Sequence, residues 1–458
     1  MARHFLSVLG TGNYRLTTYR LKEKQSKTMY VQEALLDLIF EGLREDDKIS
    51  IFVTDEARNK NWTPENGEGL YRILNEKASI CECEPIKIPK GSNDEQLMEM
   101  FEIIYDRISE NDEVYFDITH GLRNIPMFAL TILSYARVLK NIKIGGIYYG
   151  AYEVRENDIS PVFDMTAYMS ILDWTTSAEL MIKYGNANMM QNTYSEHKNL
   201  ADIEMQKQLG SFGKSINSIT HFTNCIQTSR GKTISGNSKS EGKKEQRSIS
   251  DAYKGFLRNY RVASENKAYM IEPLKPLFEK IIESTKQFDT ESNLETGLAT
   301  IQWCIDKGFI QQGLTALDET IKTYICNMFQ LDENSKFYRD DVSKFALNLN
   351  KWTKENRDKT EEIKKKYKSI DIKNKELMNE DEYVKLVEKV HSSIDKRLFN
   401  ISKEVSDARN DINHFGFSNS SEPYDKLQKK LEKRYVEFIN IITEKKLEQK
   451  STLLGANC

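Results

Sequence analysis

Val114-Tyr115-Phe116-Asp117-Ile118-Thr119-His120-Gly121-Leu122-Arg123-Asn124-Ile125-Pro126 decides how the first third of this 458-residue chain folds. Val114–Ile118 reads as a strand buried in a sheet, and the segment is expected to pass directly into a helix over roughly 123–140. Upstream, Phe5-Leu6-Ser7-Val8-Leu9 is a nearly continuous apolar run ending at Gly10, the pattern of a strand covered on both faces. Val31, Ala34, Leu35, Leu38 and Ile39 then recur at helical spacing. Further strands are expected at Ile49–Thr54, Pro85–Ile88 and Ile142–Tyr149, a helix at about 93–109, and a small hairpin arm over Tyr14–Leu21. Such alternation predicts an α/β, Rossmann-like, mainly parallel and doubly wound sheet over residues 1–165.

From about residue 168 the strand signal stops and helical patterns take over, at about 251–286, 292–330, 340–352, 381–407 and 421–447. Residues 229–250 hold little that can be buried and read as a flexible insertion. The expected organisation is therefore an α/β domain at 1–165, a helical linker region at 166–290 and an α-helical domain at 291–458. The Lys/Glu mixture of Lys351–Lys385 reads as a solvated helix face.

Composition narrows the classes. Lys and Arg number 66 against 69 Asp and Glu, a net charge of −3, which argues against a duplex-wrapping protein. Six scattered cysteines without C-x-x-C spacing point to reduced thiols rather than a disulfide framework or zinc site. Neither a signal peptide nor a spanning segment is expected, so the chain is read as cytoplasmic.

Gly10-Thr11-Gly12-Asn13 follows the first strand but fails as a dinucleotide fingerprint, because Arg15 stands where the third glycine belongs. Ligands of open α/β sheets sit beyond the carboxyl ends of strands, where this loop lies. Thr119, His120, Arg123 and Asn124 are expected at the next such end, with helix N–H groups and a guanidinium favouring an anion and Gly121 letting it approach the backbone. The plainer reading makes Asp117 and Thr119 helix caps and His120 a surface group.

Asp117-Ile118-Thr119-His120-Gly121 resembles the Asp-x-Thr-His-Gly signature of a family of CRISPR-associated proteins. The likeness includes Ser7–Tyr14, Phe52–Ala57 and Tyr148–Glu153. It implies an N-terminal CARF domain that senses cyclic oligoadenylate, with Gly10, Thr11, Gly12, Asn13, Thr119, His120, Gly121, Arg123 and Asn124 around the activator. It also implies two such domains paired about a twofold axis on one ring, tetra-adenylate being the commoner activator.

Ala408-Arg409-Asn410-Asp411-Ile412-Asn413-His414-Phe415-Gly416-Phe417 carries the second candidate site. Asn410 and His414 share a helix face beside Arg409, and Gly416 is a candidate C-cap. An imidazole can move protons near neutral pH, and a guanidinium can hold a phosphate, which suits RNA cleavage without a metal. In isolation His414 reads as an ordinary helix-end residue. In this order after the first motif, Arg-Asn-x-x-x-His resembles the signature of HEPN ribonucleases, as Lys307–Glu319 resembles their helical core. The resemblance implies a homodimer, or an oligomer of dimers, that cuts single-stranded RNA at a composite cleft. Arg409 would hold the phosphate, Asn410 would position its partners and His414 would act as acid/base, with no metal and no cofactor. Products would be a 2′,3′-cyclic phosphate and a 5′-hydroxyl.

Two alternatives stay open on the residues: a nucleotide-gated binding protein without nuclease activity, and a first domain whose Thr119 and His120 help degrade the activator. His4, His197, His221 and His391 read as structural or surface groups, and Trp62, Trp174, Trp303 and Trp352 as packing anchors.

Overall fold

The computed structural model describes residues 2–65, 69–121, 124–200, 203–231, 248–265, 272–352, 358–417 and 421–455. The chain divides into two compact units, Met1–Leu172 and Asp173–Cys458. The first unit runs past the expected boundary at residue 165 because Met169, on helix Thr166–Tyr184, is buried in a core of the sheet.

That sheet has eight strands in the order β3-β2-β8-β7-β6-β1-β4-β5. β1 (Arg3–Val8) lies at its heart, parallel to β4 (Lys48–Val53) and β6 (Glu113–Asp117). β5 (Glu82–Lys87) extends it beyond β4, and β7 (Lys143–Gly150) beyond β6, both in parallel. β8 (Ile159–Asp164) then runs antiparallel to β7, and β2 (Thr17–Leu21) parallel to β8. The expected hairpin arm is completed by β3 (Lys24–Thr28), antiparallel to β2 and forming one edge.

Alternation along the strands builds two cores, one on each face. Phe5, Ile49 and Ile51 pack with helices Val31–Ile39 and Leu70–Lys77. Their neighbours Leu6 and Phe52 join Phe116 on the opposite face, against helices Asp94–Arg107 and Ile125–Leu139. Each such side chain contributes roughly 1.5–3 kcal/mol by leaving water. His4 is buried on β1, its Nδ1 3.3 Å from Asp112 and its Nε2 2.9 Å from Ser50, and is therefore structural.

The second unit is helical around two cores. The first is rich in aromatic rings, with Phe212, Phe222, Phe256, Phe278, Phe288, Trp174 and Trp303 in mutual contact. The second is mainly aliphatic and gathers helices Ile310–Met328, Glu380–Ser393, Lys396–Asn413 and Tyr424–Gly455. Trp62, Trp174 and Trp303 are all buried, while the Trp352 side chain lies outside the described ones.

Three stretches expected to be continuous helices are broken, and 251–286 yields Ile249–Ser264 and Lys275–Thr285. Gly308, at φ 73°, ends helix Asn293–Lys307, and Phe309 N–H bonds Cys304 O at 2.8 Å before Ile310–Met328 begins. Gly297 lets those two helices approach closely, since a Cβ there would lie 2.3 Å from Thr320 Oγ1. Likewise Asp395 caps Lys396–Asn413, its carboxylate accepting from Arg397 N–H at 2.8 Å.

Most of the expected insertion, residues 232–247, lies outside the described residues. Its two ends are not loose: Ile249 N–H bonds Arg230 O at 3.0 Å, and Ser248 caps the buried start of helix Ile249–Ser264.

Candidate functional site

Neighbours of β1 on its two sides, β4 and β6, are reached by different crossovers, so the sheet's switch point lies at the carboxyl ends of β1 and β6. There Asp117 closes β6, fully buried, and accepts from Ser7 Oγ–H at 2.7 Å and Thr119 N–H at 2.9 Å. Burial raises the Asp117 carboxyl, opposed by these bonds and by His120. Thr119 Oγ1 in turn accepts from Gly150 N–H at 2.7 Å, tying the end of β6 to that of β7.

The strand does not pass directly into the helix. Residues 118–121 and 124 lie outside strand and helix: Gly121 turns the chain at φ 116°, and Asn124 precedes helix Ile125–Leu139, which has Pro126 in its first turn. His120 therefore sits on the loop, with its ring edge-on to Tyr14 at 4.8 Å between centroids. Asp117 and Thr119 are likewise not helix caps. A Cβ on Gly121 would come within 2.8 Å of Val8 Cγ1. Arg123 lies outside the described residues.

The loop after β1 is braced from outside the expected set. Tyr14 Oη accepts from Gly10 N–H at 3.0 Å, so that amide is already committed. Buried Asn61 donates to Gly10 O at 2.8 Å and Gly12 O at 3.1 Å, and Lys60 Nζ donates to Thr11 O at 2.6 Å. Thr11, Gly12 and Asn13 are left exposed at the rim. Lys60 and Asn61, shortly after β4, belonged to no motif, and Tyr14 belonged only to the Ser7–Tyr14 likeness, outside the expected site residues.

Among the described residues, three polar atoms in this region are buried without a hydrogen-bond partner: His120 Nε2, Asn124 Oδ1 and Gln32 Oε1. The other Gln32 terminus donates to Val8 O at 3.3 Å, beneath the end of β1. Burial pushes the His120 imidazole below its ordinary pKa, against the upward pull of Asp117 and Glu153.

In the helical unit, Arg409 and Asn410 lie in the last turn of Lys396–Asn413, and His414 caps it. Gly416 is thus not the cap; Phe415 and Gly416 follow it at φ 56° and 71°. Leu398, Ile401, Val405 and Ala408 form the helix's buried stripe, which places Arg409 partly inward while Asn410 and His414 are exposed. His414 N–H bonds Asn410 O at 2.9 Å, so those two are joined through the backbone.

The Arg409 guanidinium is held by Asp318 on helix Ile310–Met328. Asp318 is buried and also meets Lys322 Nζ at 3.1 Å; Lys322 pairs with Glu319 at 2.7 Å, and Glu319 with Arg339 at 2.8 Å. Burial alone would raise the Glu319 carboxyl, yet Lys322 and Arg339 hold it at about 2. Asp318 lay within the Lys307–Glu319 likeness without a role of its own, and Lys322 and Arg339 lay in no motif. The arrangement offers an exposed imidazole and amide beside an anchored guanidinium, groups suited to proton movement and phosphate binding.

Residues 4–153 match the sequence model of the family described as CRISPR system endoribonuclease Csx1, CARF domain. The first unit is thus an α/β domain of CARF type. CRISPR-associated protein MJ1674 of Methanocaldococcus jannaschii is 26% identical over 254 residues, 54% of this chain and 34% of that protein. The chain accordingly aligns with about a third of that relative's length. Among solved structures, Enterococcus italicus Csm6 bound to cyclic hexa-2′-fluoro-hexa-dAMP aligns at a TM-score of 0.41 and 10% identity, covering 95% of this chain and 92% of that one. Among the described residues, no helix is long and apolar enough to cross a membrane.

Proposed function

We propose that the chain is a cyclic-oligoadenylate-activated endoribonuclease of CRISPR defence that cuts single-stranded RNA without a metal, working as a homodimer. The sensor reading rests on the switch point of the CARF-type sheet. Among the described residues, His120 Nε2, Asn124 Oδ1 and Gln32 Oε1 are buried there without partners, as expected of groups that a polar ligand completes. Gly10, Thr11, Gly12, Asn13, Thr119 and Gly121 would line the same ligand, with Arg123 supplying a cation.

The observation that carries the nuclease reading is Arg409 anchored on the helix turn whose exposed face presents Asn410 and His414. In the proposed reaction the RNA 2′-oxygen gives up its proton and attacks the phosphorus, the bond to the 5′-oxygen breaks, and that oxygen takes a proton. His414 moves a proton in this exchange, Arg409 stabilises charge on the phosphate, and Asn410 orients them. Products are a 2′,3′-cyclic phosphate and a 5′-hydroxyl. Activator binding would favour the cutting-competent state by its differential affinity for it.

The test is incubation with end-labelled single-stranded RNA in EDTA, with and without cyclic tetra-adenylate. Ring-dependent cleavage by the wild type, lost in His414→Ala while ring binding persists, is the expected result. Equal cutting by His414→Ala would overturn the catalytic assignment. A second reading, a nucleotide-gated protein that holds RNA uncut, is favoured by the commitment of Arg409 to Asp318; RNA retained intact at every ring concentration would support it.

A further inference from the structure

Phe415 and Phe417 follow the candidate acid/base residue His414 and are 87% and 89% exposed. Their rings stack at 6.4 Å between centroids, tilted by 24°. Phe415 adopts φ 56°, a region that bulky residues avoid at appreciable cost. The turn holding them is fixed by its backbone: Phe415 N–H bonds Ile412 O at 2.9 Å, Gly416 N–H bonds Asp411 O at 3.1 Å, and Phe417 N–H bonds His414 O at 3.1 Å. A strained backbone at Phe415 thus accompanies two aromatic faces held in water, one and three residues beyond His414. Packing gives no reason for this.

Resting on the ribonuclease reading of the neighbouring turn, we propose that Phe415 and Phe417 form a stacking step for unpaired bases of the RNA. Every base presents a π-face, and aromatic rings recognise single strands on that basis. The surroundings fit: Asn410, Asn413 and His414 are exposed beside the rings and offer hydrogen-bonding groups to base edges. Docking of a second protein fits less well. Two aromatic side chains provide at most about 500 Å², below the roughly 800 Å² per partner of a stable interface. The step would seat the nucleotide next to the cut phosphate and set which linkage reaches His414.

The experiment compares the full-length wild type with the double variants Phe415→Leu/Phe417→Leu and Phe415→Tyr/Phe417→Tyr. Leucine keeps apolar area without a π-face, and tyrosine keeps the ring. Binding to a fluorescent single-stranded heptamer is measured beside a matching heptamer with abasic sites, and thermal melting confirms folding of each variant. The leucine variant is expected to bind the normal RNA about tenfold or more weakly. Tyrosine should restore binding, and the abasic strand should not distinguish the proteins. If the wild type binds no RNA, or binds both strands alike, the stacking step is overturned. Loss of binding that tracks dissociation of a dimer by sedimentation would make the rings a self-association surface and overturn it too. Base-dependent binding without any cleavage would keep the stacking step while the nuclease reading fell. Unchanged KM and cut position in an active leucine variant would do the reverse.

Discussion

The Arg409 guanidinium donates to the buried carboxylate of Asp318, so the proposed phosphate-binding group is positioned by a residue 91 places earlier in the chain. Lys322 meets the same carboxylate from its own helix. Removing one member of a buried charge cluster leaves the others uncompensated unless a polar group takes its place. Asp318→Asn should keep the fold but release Arg409, lowering single-turnover RNA cleavage by about 10- to 100-fold with RNA binding less affected. Asp318→Ala should in addition destabilise the helical unit by about 3 kcal/mol, read from urea unfolding. Full activity in both variants would remove the positioning role.

Glu319 supplies an acid-sensitive element to the same network. Its carboxyl is depressed to about 2 in the folded chain by Lys322 and Arg339, which outweigh burial. A depressed carboxylate stabilises the fold above its unfolded value of about 4.3, and that contribution is lost as pH falls towards 2. The side chain is 46% exposed, so solvent screens the effect. Glu319→Gln should flatten the acid limb of the stability profile between about pH 4.5 and 2. An unaltered slope would show that the network carries no such linkage.

His120 runs the other way. Burial lowers its pKa, so the fold favours the neutral ring. That contribution is complete above the unfolded value of about 6.5 and fades as falling pH forces a proton onto the buried ring. Thermal melting of His120→Gln between pH 7.5 and about 5 should therefore decline less steeply than that of the wild type. Parallel melting curves would contradict the assignment.

Asn61 joins the carbonyls of Gly10 and Gly12 and thereby shapes the first loop of the crevice. Asn61→Ala removes both bonds, each worth about 1 kcal/mol. Affinity for cyclic tetra-adenylate should drop roughly tenfold or more, measured by calorimetry, while uninduced properties of the helical unit stay constant. Gly121→Ala should lose affinity as well, because its Cβ would press on Val8 from a backbone conformation that alanine resists.

Legibility in the sequence followed burial. β1, β4, β6 and β7 are apolar runs and were readable, whereas β3, Lys-Gln-Ser-Lys-Thr, has no apolar residue and is specified only by pairing with β2. β8 contains Pro161 and was equally silent, since its role depends on antiparallel pairing to β7. Gly308 ends one helix and Asp395 starts another inside what periodicity alone made continuous, because apolar residues recur at helical spacing on both sides of each break. Arg409, Asn410 and His414 stood out as a local pattern. Asp318 and Asn61 did not, because their meaning comes from contacts 91 and 49 to 51 residues away.

Both margins of the eight-stranded sheet are guarded against further growth. One ends in β3, whose Lys24, Gln25 and Lys27 face water, and the other in β5, interrupted by Pro85. A neighbouring molecule finds no bare, uncharged ribbon to extend, so ladder-like polymerisation is disfavoured.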